Sequence, residues 1–129
     1  MNMGSKDKKR TFLDSVMNCL EGISYTITHE NNFKREVIIG ILVVILSLIL
    51  KISILEWVIV ILLINFVLVC ELINTALEKT VDLYTTKYNE TAKIVKDVAG
   101  ASVFVMCIFS AIIGMIIFVP KIITLISNL

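Results

Sequence analysis

Three uncharged apolar runs dominate this chain of 129 residues: Val37–Leu50, Trp57–Cys70 and Val98–Val119. A helix needs roughly 20 apolar residues to cross the hydrocarbon core of a bilayer. The third run has that length, whereas the first two must extend into their flanks. Because 57% of the residues are hydrophobic, too few polar side chains remain to cover a soluble domain of this size. The sequence therefore predicts one all-α integral membrane domain with three transmembrane helices.

A further helix is predicted before the first crossing, over residues 11–27. Apolar side chains recur along one of its faces at the helical period, and polar side chains occupy the other face. Such an amphipathic helix is typical of the membrane interface. The predicted domain, 1–129, thus has a polar tail at 1–10, a surface helix at 11–27, and membrane helices with cytoplasmic extensions at about 33–51, 55–84 and 90–120.

The basic residues predict the orientation of the three crossings. Ten of the 12 lysines and arginines fall on the side that holds the N-terminus, and only Lys51 and Lys121 fall on the other. Loops rich in lysine and arginine stay in the cytoplasm. We therefore expect a multi-pass protein with a cytoplasmic N-terminus and an external C-terminus, whose acids, Glu56 apart, face the cytoplasm.

A polar stripe begins at the inner edge of the second run. Glu71, Asn74, Glu78 and Asp82 share a helix face about 80° wide at 100° per residue. A carboxylate in hydrocarbon is costly, so Glu71 should face protein, water or a cation. A helix that simply emerges into water, with the stripe paired to lysines, explains Glu78 and Asp82 well but Glu71 poorly.

Glu30 and Lys96 flank the stripe at a similar depth. Each has a plainer interpretation, Glu30 as a first-turn acid of a helix and Lys96 as a lysine that reaches the interface. Asn89 is a predicted N-cap that would set Lys96 on one long helix. Carboxylates are ligands that Mg²⁺ favours, and Mg²⁺ commonly joins one or two of them to substrate phosphates. Phosphoryl transfer to a lipid is therefore chemically reasonable here.

The stripe also lies within a motif that resembles a known family. The chain reads ELINTALEKTVD from Glu71 to Asp82, which matches E-x-x-N-[ST]-A-x-E-x-x-x-D of the prokaryotic diacylglycerol kinases, small integral-membrane lipid kinases. EG at 21–22, ENNF at 30–33 and KDVAG at 96–100 agree with it. The resemblance implies ATP- and Mg²⁺-dependent phosphorylation of a lipid alcohol in the bacterial cytoplasmic membrane. It also implies a homotrimer with active sites at protomer boundaries.

Roles for individual residues follow from that resemblance. Glu71 matches the general base, with Asn74 and Lys96 as further catalytic residues, and Glu30 and Glu78 match the magnesium ligands that carry the ATP phosphates. The remaining matches to cofactor-binding positions are Ser15, Asn18, Asp82, Glu90, Lys96 and Asp97.

The resemblance also bears on the lipid. EGI and E-x-NF are closer to the Gram-positive branch, which prefers undecaprenol, whereas Glu36 resembles the diacylglycerol branch. Undecaprenol is thus the expected substrate, which would yield undecaprenyl phosphate, and diacylglycerol, which would yield phosphatidic acid, is the alternative.

Two other functional classes remain open from the sequence. A small ion-conducting subunit would need polar residues deep in several crossings, and the third crossing offers none that is charged. An inactive scaffold would leave the polar stripe and Lys96 unexplained, and binding of Mg-ATP would separate a kinase from both. No glycine-rich phosphate loop is present, and no nucleic-acid partner is expected. Asn65, in the middle of a crossing, is predicted to hydrogen-bond a neighbouring helix.

Overall fold

Residues 11–128 form four α-helices without a strand in the computed structural model, which describes that part of the chain. The helices are α1 (Phe12–His29), α2 (Asn31–Ile49), α3 (Ile54–Tyr84) and α4 (Glu90–Ser127). The all-α prediction is confirmed for these residues. The polar tail at 1–10, which carries four of the ten cations assigned to the cytoplasm, lies outside them.

Side-chain caps fix where three of the helices begin. Thr11 and Asp14 form a capping box at the start of α1, and Ser53 and Glu56 form another at the start of α3. At α4 the Asn89 side chain accepts a hydrogen bond from the backbone N–H of Ala92 at 3.0 Å, so the predicted N-cap is confirmed. These caps satisfy backbone donors that a helix start leaves unpaired.

Two of the three predicted crossings are supported by length and composition. Among the described residues, α3 and α4 are long and apolar enough to span a membrane. α2 carries Lys34, Arg35 and Glu36 in its first two turns, so its apolar part is confined to the remainder of the helix. The crossing by α2 stays a prediction.

α3 and α4 pack against each other as an antiparallel pair. An ion pair joins them near each end: Lys96 Nζ lies 2.6 Å from Asp82 Oδ1, and Lys121 Nζ lies 3.1 Å from Glu56 Oε2. A small apolar core lies toward the end that carries the second pair and consists of Ile52, Val60, Ile117 and Phe118. The pair is thereby fixed in register along its whole length.

α2 packs on α3 through a close approach at Gly40. A Cβ atom at this position would lie 3.1 Å from Ile64 Cγ2, tighter than an ordinary contact. Asn65, the next residue of α3, does not bond another helix within the described chain, so that prediction is wrong there. Its side chain instead donates to the Ile61 carbonyl of its own helix at 2.8 Å, a bond that a single helix can always make.

α4 continues past residue 120, where the sequence predicts its end. Pro120 lacks the N–H that would bond one turn back, but the helix runs on to Ser127. The residues that follow are again mostly apolar, and Thr124 Oγ1 donates to the Pro120 carbonyl at 2.9 Å. The one hydrogen bond that Pro120 removes therefore does not end the helix, because the residues after it remain mostly apolar.

Candidate active site

The polar stripe of α3 changes from buried to exposed along its length. Glu71 is 3% exposed and Asn74 is 6% exposed, Glu78 is half-buried, and Asp82 is exposed. Asn74 Nδ2 donates to Glu78 Oε1 at 3.4 Å, and Asn74 Oδ1 is buried without a hydrogen-bond partner among the described residues. The inner end of the stripe is therefore a sheltered polar site with an unsatisfied acceptor.

Glu30 joins this site from the break between α1 and α2. Its backbone is extended, with φ −105° and ψ 113°, so α1 ends and α2 begins on either side of this one residue. Glu30 Oε1 lies 3.3 Å from Lys79 Nζ of α3. Lys34 Nζ donates to the Thr28 carbonyl at 2.9 Å, which bridges the break. The carboxylate is thus brought to α3 by the turn itself.

Four carboxyl groups from three different segments interact in this region. Glu71 is within electrostatic range of Glu78 and Glu30, and Glu36 of α2 is within range of Glu71. Like charges this close repel when all are ionised, so the cluster favours a bound cation or a proton. Within residues 11–128 no three His, Cys, Asp or Glu side chains are arranged as a complete metal site. A cation held here would need ligands from a substrate as well.

A second polar cluster lies at the turn between α3 and α4. Lys96 pairs with Asp82, and Lys93 Nζ lies 2.8 Å from Asp97 Oδ2. These four side chains line an open groove of about 350 Å³. Glu90 is an exposed acid in the first turn of α4 and does not line that groove. The predicted residues Asp82, Lys96 and Asp97 are therefore brought together, with Asp82 about three turns beyond Glu71 along α3.

Two predicted residues, Ser15 and Asn18, lie elsewhere. Both are exposed on α1, and the Ser15 hydroxyl donates to the Thr11 carbonyl of its own helix at 3.4 Å. Ser15 is 15 residues from Glu30 along α1, which at about 1.5 Å per residue is about 22 Å. The structure does not bring these two side chains to the acid cluster within one chain.

An apolar cavity of about 200 Å³ lies between α2, α3 and α4. Its wall is formed by residues such as Val67, Gly114 and Phe118, and only Glu36 and Ser110 bring polar side chains to it. Glu36 Oε2 and Ser110 Oγ are buried there without hydrogen-bond partners in the described chain. Because Glu36 also interacts with Glu71, the cavity adjoins the acid cluster.

The sequence did not predict Lys79 and Lys93 as partners of site residues. Lys79 follows Glu78 directly, so helical spacing turns it about 100° away from the stripe. Only the fold of the α1–α2 break brings Glu30 to it. The pair between Lys93 and Asp97 could have been predicted, since residues four apart lie on the same face of a helix.

Comparisons with known proteins identify a matching family and several similar proteins. A family model described as prokaryotic diacylglycerol kinase matches residues 17–118. The chain is 40% identical over 122 residues to the undecaprenol kinase of Bacillus subtilis, an alignment that covers 92% of this chain and 99% of that protein. It is 32% identical over 109 residues to a diacylglycerol kinase of Helicobacter pylori, with 84% of each chain covered. A diacylglycerol kinase of Synechocystis is 32% identical over 105 residues, which cover 81% of this chain and 60% of that protein.

Proposed function

We propose that this chain, which belongs to the prokaryotic diacylglycerol kinase family and is therefore a lipid kinase, transfers the γ-phosphate of ATP to the hydroxyl of undecaprenol. The products would be undecaprenyl phosphate and ADP. The undecaprenol kinase of Bacillus subtilis supports this substrate by its identity and nearly complete coverage. The ion-conducting and scaffold alternatives lose their basis once the family is known.

The burial of Glu71 among other acids is the observation that carries the proposal. Its carboxylate lies at the edge of the apolar run of α3 and is 3% exposed. In the proposed complex the lipid hydroxyl approaches it from the membrane and ATP from the water. In the proposed step the hydroxyl oxygen bonds to the γ-phosphorus as the bond to ADP breaks. Glu71 takes the hydroxyl proton, a role that requires a base within hydrogen-bond reach.

The residues present fit a magnesium ion held by Glu30 and Glu78. Both offer carboxylate oxygens, both interact with Glu71, and Asn74 orients Glu78 by a hydrogen bond. Glu30 and Glu78 would hold the ion, which would supply positive charge to neutralise the ATP phosphates. Magnesium commonly takes one or two protein carboxylates, and within residues 11–128 no group of three such side chains is placed to hold a metal. The repulsion among the acids favours the same occupant.

The groove at the α3–α4 turn supports a site for ATP. Lys96 and Lys93 supply positive charge there, and Asp82 and Asp97 hold the two ammonium groups in place. We assign Lys96 to the phosphates, because it pairs with Asp82, the exposed end of the polar stripe. Asp82, Glu90 and Asp97 complete the proposed surroundings of the nucleotide. Such catalysis depends mostly on positioning and on neutralising charge.

Diacylglycerol is the second candidate for the lipid. The family description and the Helicobacter and Synechocystis relatives favour it, as does Glu36 in the sequence. The apolar cavity lined by Glu36 suits a hydrocarbon chain, which both lipids provide. Undecaprenol stays the first candidate because the Bacillus protein shares more identity and nearly its whole length with this chain.

We also propose a homotrimer in the bacterial cytoplasmic membrane, with three crossings, a cytoplasmic N-terminus and an external C-terminus. The distance of about 22 Å along α1 between Ser15 and Glu30 supports a shared site, since Ser15 and Asn18 could then reach the nucleotide of a neighbouring protomer. Asn65 supports contact between copies, because an exposed amide within an apolar run gains from a partner. The ten-to-two division of basic residues supports the orientation.

Phosphate transfer from labelled ATP in mixed micelles tests the reaction. Purified protein and magnesium are combined with undecaprenol or with diacylglycerol, and Glu71→Gln is assayed beside the wild type. Removal of a general base should slow transfer by about 10²- to 10⁴-fold. Glu56→Gln is the matched control, since it removes a carboxylate at the opposite end of α3 and should leave transfer within about twofold.

The lipid that becomes labelled decides between the two candidates. Labelling of undecaprenol alone would support the first, and labelling of diacylglycerol alone would replace it with the second. Equal rates for Glu71→Gln and wild type would contradict the role given to Glu71. Binding of ATP to the Glu71→Gln variant, measured separately, shows whether a slow variant still holds its substrate.

A further inference from the structure

The ion pair between Lys79 and Glu30 has no role in the proposed reaction as described so far. Lys79 Nζ lies 3.3 Å from Glu30 Oε1, and the two side chains are 49% and 23% exposed. Lys79 also interacts electrostatically with Asp82 and Tyr25. It belongs to α3 but lies off the polar stripe, so it approaches the acid cluster from the side of the α1–α2 break.

Lys79 is the cation that the fold supplies to this acid cluster. In the ion pairs of residues 11–128, Lys96 is paired with Asp82 and Lys93 with Asp97, whereas Glu71 and Glu78 have no lysine partner. The pair with Lys79 therefore offsets part of the negative charge where Glu30, Glu71 and Glu78 meet. A divalent cation at Glu30 would also offset this negative charge, and it would bring two positive charges to within a few ångströms of the Lys79 ammonium group.

We propose that Lys79 is a built-in counter-ion that competes with the divalent cation for Glu30 and so sets the metal concentration at which the site fills. The inference rests on the proposed function, because it takes Glu30 as a metal ligand. When the cation binds, Lys79 leaves the Glu30 oxygen and turns toward water. Its exposure and its long flexible side chain allow that movement without a change of fold.

The expected effect is modest because the pair is partly exposed. Exposed ion pairs contribute little to stability and are readily exchanged for water. The ammonium group additionally repels a bound cation. Removing the charge in Lys79→Met should therefore lower the dissociation constant of the metal by about three- to tenfold, with Lys79→Arg close to wild type since arginine keeps the pair.

Binding of Mn²⁺ measures this directly, without reference to catalysis. Free Mn²⁺ is followed by its paramagnetic resonance signal during titration of the purified protein in detergent micelles, with a non-hydrolysable ATP analogue equimolar to the protein, and the Mn²⁺ bound by the analogue alone is subtracted from a titration without protein. Arg35→Met is the matched control: Arg35 is exposed near the start of α2 and forms no ion pair within residues 11–128, so its removal tests the loss of one nearby charge. Tighter binding in Lys79→Met alone supports the proposal.

Other outcomes overturn it in distinguishable ways. Unchanged binding in Lys79→Met, or equal tightening in Arg35→Met, would show that Lys79 does not compete at Glu30. Weaker binding would make Lys79 a contributor to the bound state. If Glu30→Gln and Glu78→Gln bind Mn²⁺ as wild type does, the metal site itself is wrong and the proposal falls with it. If those two variants lose Mn²⁺ binding but Lys79→Met has no effect, the counter-ion proposal is refuted and the metal site is retained.

Discussion

Replacing Lys96 by methionine separates the two roles that its position allows. Lys96 links α4 to Asp82 of α3 at 2.6 Å, and in the proposed site it also neutralises ATP phosphates. Methionine keeps most of the apolar stem of lysine and removes its charge. The variant therefore loses the ion pair and the phosphate contact but retains much of the packing of the side chain.

The two losses differ greatly in size. The Lys96 and Asp82 side chains are 38% and 53% exposed. An ion pair of this kind contributes about 0.2–1 kcal/mol to stability, which leaves the folded population almost unchanged. Loss of one preorganised group that stabilises charge in a transition state slows catalysis by about 10²- to 10³-fold. If Lys96 binds phosphate, activity must fall far more than the loss of stability can explain.

Steady-state transfer rates and thermal unfolding in one detergent provide the comparison. Lys121→Met is the matched control, because it makes the same chemical change on α4 and breaks the other ion pair between α3 and α4, in which Lys121 lies 3.1 Å from Glu56. We expect Lys121→Met to keep activity within about threefold of wild type and both variants to unfold within a few degrees of it. Equal losses of activity in the two variants would refute the reasoning, since only a shared structural effect could produce them.

Three further outcomes are expected. Gly40→Val should destabilise the protein by about 1–3 kcal/mol in thermal unfolding, because the valine side chain must enter the space of Ile64. Gly114→Ala should be neutral, and an equal loss of stability in the two variants would contradict the close approach of Gly40 to Ile64. Asn89→Ala should cost about 1 kcal/mol through loss of the cap on α4, with Asn89→Ser near wild type; identical unfolding of the two would argue against capping. Chelation of divalent cations should stop phosphate transfer and added Mg²⁺ should restore it, while transfer that persists in a chelator would exclude the proposed metal role.

Features that depend on local spacing could be predicted from the sequence. The stripe on α3 needs only helical geometry, and all four of its residues lie in that one helix. The N-cap at Asn89 needs only its own side chain and the next turn. In each case the residues that determine the feature are close in the chain, so few alternative arrangements exist.

Features that depend on two distant segments could not be predicted in the same way. Glu30 meets Lys79 because this one extended residue separates α1 from α2. Neither the hydrophobic periodicity nor the composition of the sequence specifies the direction that the chain takes after such a break. The close approach of Gly40 to Ile64 likewise depends on how α2 lies across α3. α4 likewise runs to Ser127 rather than to about residue 120, and Pro120 lies inside it.

The proposed base, Glu71, and the proposed metal ligand Glu30 differ in how the fold holds them. Glu71 is held by the middle of a long helix that packs along α4, so its position is set by many contacts and should vary little. Glu30 is held by a one-residue break, with the Lys34–Thr28 hydrogen bond across it, and its carboxylate already has a partner to exchange. A proton acceptor must keep its place relative to the reacting hydroxyl, whereas a ligand that releases lysine for a cation must be able to move. The rigid segment and the adjustable one are therefore each suited to the role assigned to them.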